Sequence, residues 1–239
     1  HRFRRQHFIT IFWKPAQASI GIDDVVQASE AACNTFEQVY EKIAHLSGRG
    51  EVVLGADRSI VLSGELFALN EKLQSEGIGT VTTILVDTGW TSIEEELPYG
   101  PLDTYLKFDT ELTTRGLYPA VDPVASTSVL LEEARPGSAH LTVQQQARKL
   151  LRRYRELRPL VLSGRADKLP EAELRQYHRG ERLEAYLSQP FYIAEPYTKT
   201  PGEWIPLQDT LEDVKRILDG GTDHMKADEL KFAGRIFKD

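Results

Sequence analysis

Among 239 residues there is one cysteine, Cys33, and one methionine, Met225. A single thiol cannot close an internal disulfide, and the count fits a reducing compartment. Cys33 falls in a stretch read as helix, and no neighbour there would lower its pKa, so a buried, inert thiol is expected. No apolar run approaches the ~20 residues that a bilayer span needs. Basic residues are in the minority: 29 Lys and Arg against 36 Asp and Glu leave a net charge of −7, so no global field recruits nucleic acid. Motifs that carry chemistry are scarce as well. The chain has no Gly-x-Ser-x-Gly, no paired-cysteine motif and no dinucleotide fingerprint. Its histidines, His1, His7, His45, His140, His178 and His224, show no metal-ligand spacing. Gly-Lys-Ser and Gly-Lys-Thr occur nowhere, so these residues contain no phosphate loop of the usual form.

What is present is the composition of an ordinary globular protein, 41% hydrophobic and 27% charged. At this size folding removes roughly 70–75% of the unfolded surface, enough for one large domain or two small ones. The opening His1-Arg2-Phe3-Arg4-Arg5-Gln6-His7 is arginine-rich and free of acids. That is the composition of the end of an organellar transit peptide, of a basic arm, or of a short solvated tail.

Phe8 to Trp13 is a short apolar run and reads as a buried strand. Apolar residues spaced by three and four between Asp23 and Leu46, at Val25, Val26, Ala32, Phe36, Val39, Tyr40 and Ile43, predict an amphipathic helix. Glu51 to Ala56 predicts a second strand closing on Asp57, Leu62 to Leu73 a second helix, and Thr80 to Val86 a β-branched third strand. Strands alternating with helices argue for a parallel sheet with crossover helices, placed in residues 1–125. After Pro123 the pattern turns helical. One helix is outlined by Val143, Ala147, Leu150, Leu151, Tyr154 and Leu157, a second by Leu174, Tyr177, Leu183, Tyr186 and Leu187, and a third by Leu211, Val214, Ile217 and Leu218. Thr210 and Asp213 have the spacing of a capping box. Residues 126–239 therefore read as a helical domain, so the chain is α/β overall.

Two segments carry more than secondary structure. Leu117-Tyr118-Pro119-Ala120-Val121-Asp122-Pro123 and Leu187-Ser188-Gln189-Pro190-Phe191 resemble the carboxyl-terminal half of the catalytic (beta) subunit of rotary ATP synthases. Leu102-Asp103, Ser126-Thr127-Ser128, Ala194-Glu195, Pro206-Leu207 and Asp223-His224 lie in that family's order and spacing. The resemblance spans about Leu102 to His224 and, before residue 100, rests on the order of elements. It implies that the sheet is the remnant of a RecA-like domain. It also implies that Tyr118, Phe191 and Tyr197 stand where the family forms its adenine pocket, a slot in which a purine stacks on aromatic rings. The alternative for these three is a packing role as core aromatics.

The sequence also departs from the family. The resemblance places the phosphate loop, its lysine and metal-binding hydroxyl, and the glutamate that orients the attacking water ahead of Phe8, which seven residues precede. Without those groups the charge on a transferring phosphoryl group is not stabilised. Glu51 to Asp57 resembles the strand that ends in the family's magnesium-linked aspartate, but Asp57 alone makes a poor metal site and is expected to cap a turn. Val129 stands where the family has arginine. Asp167-Lys168-Leu169-Pro170-Glu171-Ala172-Glu173 stands at the acidic motif that meets the rotating shaft, with its charge diluted.

Arg148, Lys149, Arg152, Arg153, Arg155 and Arg158 put six cations on one helix. A solvated face paired with Glu156 is expected, with RNA phosphates relevant only to an organellar ribosome. Trp90 and Trp204 read as interface or packing residues, and Glu94-Glu95-Glu96 as a solvated loop or partner contact. The combined expectation is a catalytically inactive beta-like protein. It would be an accessory, structural subunit of a large mitochondrial complex on the matrix side, the ATP synthase first among candidates. It would require no cofactor, bind ATP or ADP with Mg2+ weakly at most, hold no metal and contact other protein subunits. The alternatives are one part of a working, split beta subunit, and a non-hydrolysing adenine-nucleotide sensor.

Overall fold

β-Branched and aromatic residues dominate Phe8–Trp13 (β1) and Val81–Val86 (β4), and Glu51–Asp57 (β3) has a Val-Val-Leu centre, compositions that suit a pleated, packed strand. In the computed structural model, which describes residues 8–13, 32–46, 51–79, 81–87, 102–129 and 139–237, these strands join Ala32–Cys33 (β2) in a sheet of order β2-β1-β3-β4. Every pairing is parallel, with Ile11 opposite Leu54 and Gly55 opposite Ile84. Phe36–Leu46 (α1), Arg58–Leu62 (α2) and Glu65–Ser75 (α3) lie between the strands in sequence. Val39 and Ile43 of α1 and Leu69 and Leu73 of α3 share one core with Ile11, Trp13, Leu54 and Ala56 of the sheet. Along β4, partly buried and exposed residues alternate, and Ile84 and Val86 lie on the open side.

The helix expected from Asp23 differs. Within the described residues it begins at Phe36, and Ala32–Cys33 is a strand paired with Phe12 and Trp13. Backbone pairing to a central strand has overridden the helical spacing of the side chains. Cys33 is nevertheless buried. Burial raises its thiol pKa, with Lys42 opposing, which favours the unreactive protonated form.

The chain divides into two compact units, residues 1–100 and 101–239. Residues 101–125 therefore belong with the helices, where the sequence placed them with the sheet. Hydrogen bonds explain this. Thr104–Tyr105 (β5) pairs antiparallel with Thr127–Ser128 (β6). Asp122 N–H donates to the Lys107 carbonyl at 2.7 Å and Asp109 N–H to the Ala120 carbonyl at 2.9 Å. A short helix, Thr110–Thr114 (α4), lies inside this excursion, capped by Asp109.

Ala139–Leu162 (α5), Glu171–Tyr186 (α6) and Leu207–Leu218 (α8) form the body of the second unit, with the short helices Glu195–Thr198 (α7) and Ala227–Leu230 (α9). Val143 and Leu151 of α5, Leu183 and Tyr186 of α6, Val214 and Ile217 of α8 and Leu230 of α9 share a core. At Gly180 a β-carbon would stand 2.4 Å from Tyr154 Cβ, so glycine is what lets α5 and α6 approach so closely. The capping box expected at Thr210 and Asp213 is not formed. Pro206 precedes the helix and Thr210 lies inside it. Asp213 is instead buried, accepting from the Tyr186 hydroxyl at 3.2 Å and the Ile236 amide at 2.8 Å.

Candidate functional site

The Tyr-Pro-Ala-Val-Asp-Pro segment leaves α4 through Gly116, whose φ of +65° suits a residue without a side chain. Tyr118 then packs on the small cluster of Leu112, Leu117 and Ala120 and is itself partly buried. Asp122 turns inward. Its Oδ1 accepts the amides of Val124 at 2.8 Å and Ala125 at 3.1 Å, an aspartate side chain closing a turn on its own backbone. Both its oxygens also take the guanidinium of Arg155, at 2.9 and 3.0 Å. Burial pushes its carboxyl up, but Arg155 and the two amides outweigh this and hold it below the ordinary carboxylate value.

The Leu-Ser-Gln-Pro-Phe segment carries the chain out of α6. The Ser188 carbonyl accepts the Phe232 amide at 2.9 Å, and the Gln189 side chain donates to the Tyr186 carbonyl at 2.6 Å. From Pro190 the backbone makes a loop that returns on itself. Glu203 N–H donates to the Pro190 carbonyl, and Gly202 N–H to Glu195 Oε1, both at 2.9 Å. A β-carbon at Gly202 would stand 2.6 Å from the Tyr192 backbone nitrogen, so this closure needs glycine. The loop leaves Phe191 partly buried and its large apolar side chains outside. Ile193 is 80% exposed, Tyr197 81%, Trp204 58% and, at the start of α8, Leu207 59%.

Of the three aromatics aligned with the adenine pocket, then, one is packed, one is partly buried and one stands in solvent. Among the described residues no ring contact joins Tyr118, Phe191 and Tyr197.

The arginine run of α5 turns most of its cations inward. Arg155 is bound to Asp122 and Arg158 to Glu111. Arg153 is bound to Glu156 and to Glu173 of α6, and Arg148 donates to the Ser126 carbonyl. Beside them Arg115 reaches Glu184, which is buried, at 2.5 Å and the Tyr154 hydroxyl at 3.3 Å. Burial and the Glu184 carboxylate push the Tyr154 hydroxyl well above the ordinary tyrosine range. The sequence missed Arg115, Glu111 and Glu184, because their partners lie tens of residues away. One signal was available: Arg155 and Arg158 border the apolar stripe Leu151, Tyr154 and Leu157, where only a paired cation is well placed.

Asp57 lies at the end of β3 and caps α2, accepting the amides of Ser59 at 2.8 Å and Ile60 at 3.4 Å and the Ser59 hydroxyl at 2.6 Å. In the stretch aligned with the shaft-facing motif, Ala166–Lys168 forms a 3-10 turn and Pro170 precedes α6. Glu171 pairs with Arg175 at 2.7 Å and Glu173 with Arg153. Among the described residues no group of three or more His, Cys, Asp and Glu side chains is arranged to hold a metal. No described helix is long and apolar enough to cross a membrane. Trp90 and Glu94-Glu95-Glu96 lie outside the described residues. No protein-family model matches the chain.

Proposed function

We propose that the protein is a catalytically inactive relative of the ATP synthase beta subunit. It serves as an accessory, structural subunit of a large mitochondrial assembly, with the ATP synthase the first candidate. The observation that carries this reading is the loop after α6. Ile193, Tyr197, Trp204 and Leu207 expose large apolar side chains within fifteen residues of sequence, on a backbone held by its own hydrogen bonds. Large apolar side chains exposed close together in sequence on a hydrogen-bonded loop suit a protein contact, and aromatic residues are enriched at the centre of such contacts.

Support also comes from four carboxylates of the family-like stretches, which are committed internally. Asp122 is taken by Arg155 and two amides, Asp57 by a helix start, and Glu171 and Glu173 by arginines. Function resides in a few side chains on a fold, and a fold can persist after its side chains have taken structural roles. The test is the double variant Ile193→Asp, Tyr197→Asp. It should fold with an unchanged melting temperature yet no longer purify with ATP synthase subunits. A variant retained in the assembly at full stoichiometry contradicts the proposal.

A second reading, the adenine-nucleotide sensor, is favoured by the exposed Tyr197 ring and by the position of Phe191 six residues before it. A stacked base is worth about 1–3 kcal/mol. This reading requires micromolar ATP binding without turnover, lost on Tyr118→Ala and on Tyr197→Ala. If the chain were instead one part of a split beta subunit, Mg-ATP turnover would appear once a polypeptide carrying the phosphate loop was supplied.

A further inference from the structure

Between β6 and the amino-terminal half of α5 lies an open cleft of about 340 Å³. Its polar lining is Thr127, Ser128, Gln144, Gln145, Arg148 and Arg152, with Leu141 the apolar member. The α5 residues recur at spacings that share one helix face. Among the described residues this lining contains two guanidinium groups, two hydroxyls and two carboxamides, but no carboxylate. In a chain with a net charge of −7, that is a local reversal of sign.

The arginines here are unlike the others of α5. Arg153, Arg155 and Arg158 are neutralised by acids. Arg152, by contrast, makes no hydrogen bond or ion pair among the described residues. Arg148 is positioned by one nitrogen on the Ser126 carbonyl, a neutral acceptor that leaves its charge uncompensated. The opposite wall is fixed. β5 and β6 pair through Thr104 and Ser128, whose hydroxyls lie 2.9 Å apart, and the Val129 amide donates to the Asp103 carbonyl at 2.8 Å.

We propose that this cleft is an oxyanion-binding site that takes the phosphate group of a small phosphomonoester. A phosphate monoester offers three terminal oxygens and close to two negative charges at neutral pH. It thus matches two guanidinium forks flanked by neutral donors better than the two oxygens of a carboxylate do. The cleft is built from residues outside the exposed apolar loop, and the proposal neither needs nor tests the subunit assignment.

The experiment is calorimetric titration of the full chain with inorganic phosphate, and with succinate as the carboxylate arm. Saturable one-site binding of phosphate with Kd on the order of 1 mM or tighter is expected, with succinate weaker by about tenfold. Arg152→Gln should weaken phosphate by about tenfold or more, the effect of one charged hydrogen bond. Thr127→Val, which keeps shape and charge, should weaken it about threefold or more. Lys149→Gln removes a charge from the same helix but lines only the neighbouring cleft, which Arg152 also borders, and should leave Kd within about twofold. Arg152 has no partner among the described residues to lose, so its variant should keep the parent's melting temperature. Absence of saturable phosphate binding overturns the proposal. So does equal binding of succinate, or a Lys149→Gln loss as large as that of Arg152→Gln, because either result describes diffuse charge in place of a built site.

Discussion

Asp122 shows how one side chain can join two levels of structure. It closes the turn after the Tyr-Pro-Ala-Val segment through the Val124 and Ala125 amides and ties that turn to α5 through Arg155. Asp122→Asn keeps an oxygen for the amides but removes the charge facing Arg155. A loss of about 1.5–3 kcal/mol is expected, read as a lower urea midpoint with unchanged slope. The pH dependence follows from the direction of its shift. The folded-state pKa lies below the ordinary 3.8, so the stabilisation is complete above the unfolded value and disappears as pH falls through the folded one. Asp223, held down first by its hydrogen bond to Arg179, contributes with the same sign. Urea midpoints should therefore fall as pH drops from about 5 toward 2, and less steeply in Asp122→Asn. An identical slope in the variant would show that Asp122 is not among the linked groups. Glu184 makes a second residue-scale case. Glu184→Gln leaves the Arg115 cation facing a neutral amide, and with Arg115 still partly solvated the loss should be about 2 kcal/mol, less than for a fully buried pair. The paired change Arg115→Met, Glu184→Leu should recover most of it.

At the scale of elements, β1, β3 and β4 were legible because each is a short, largely apolar or β-branched run closed by a polar residue, while the two-residue strands β2, β5 and β6 were not. β1 has the expected residues, β3 runs to the predicted Asp57, and β4 covers Val81–Val86 of its predicted span, Thr80 lying outside the described residues. The helices outlined by Leu174 to Leu187 and Leu211 to Leu218 were visible from their spacing; both begin before their stripes, and the first ends at Tyr186. The failures are local signals overruled at a distance. Cys33 lies in helical spacing yet pairs with β1, and Asp213 has capping spacing yet is buried under Tyr186. The arginines of α5 read as a solvated face because Asp122, Glu111 and Glu184 can be assigned to them only once the chain is folded. Gly180, unremarked in the sequence, marks the crossing of α5 and α6. Gly180→Ala would place a methyl group against Tyr154. Overpacking of about 1–3 kcal/mol is expected, measurable by thermal or urea unfolding. A stability equal to the parent's would mean that Tyr154 can give way.

For the whole molecule, the sheet unit and the helical unit each carry their own core, and the family-like segments lie in the second. What the sequence offered of the candidate site was its residue types: Tyr118, Phe191 and Tyr197 were singled out by the family resemblance. Their environments were not legible, because burial depends on the loop closure at Gly202 and on the cluster around Leu112. The most direct test of the account is native mass spectrometry of the affinity-tagged chain isolated from its own cells, with bound nucleotide quantified in the same sample. The account predicts a fixed-stoichiometry assembly containing ATP synthase subunits, with no nucleotide retained by the released chain. A chain found alone, or one released with tightly bound Mg-ATP, would contradict it.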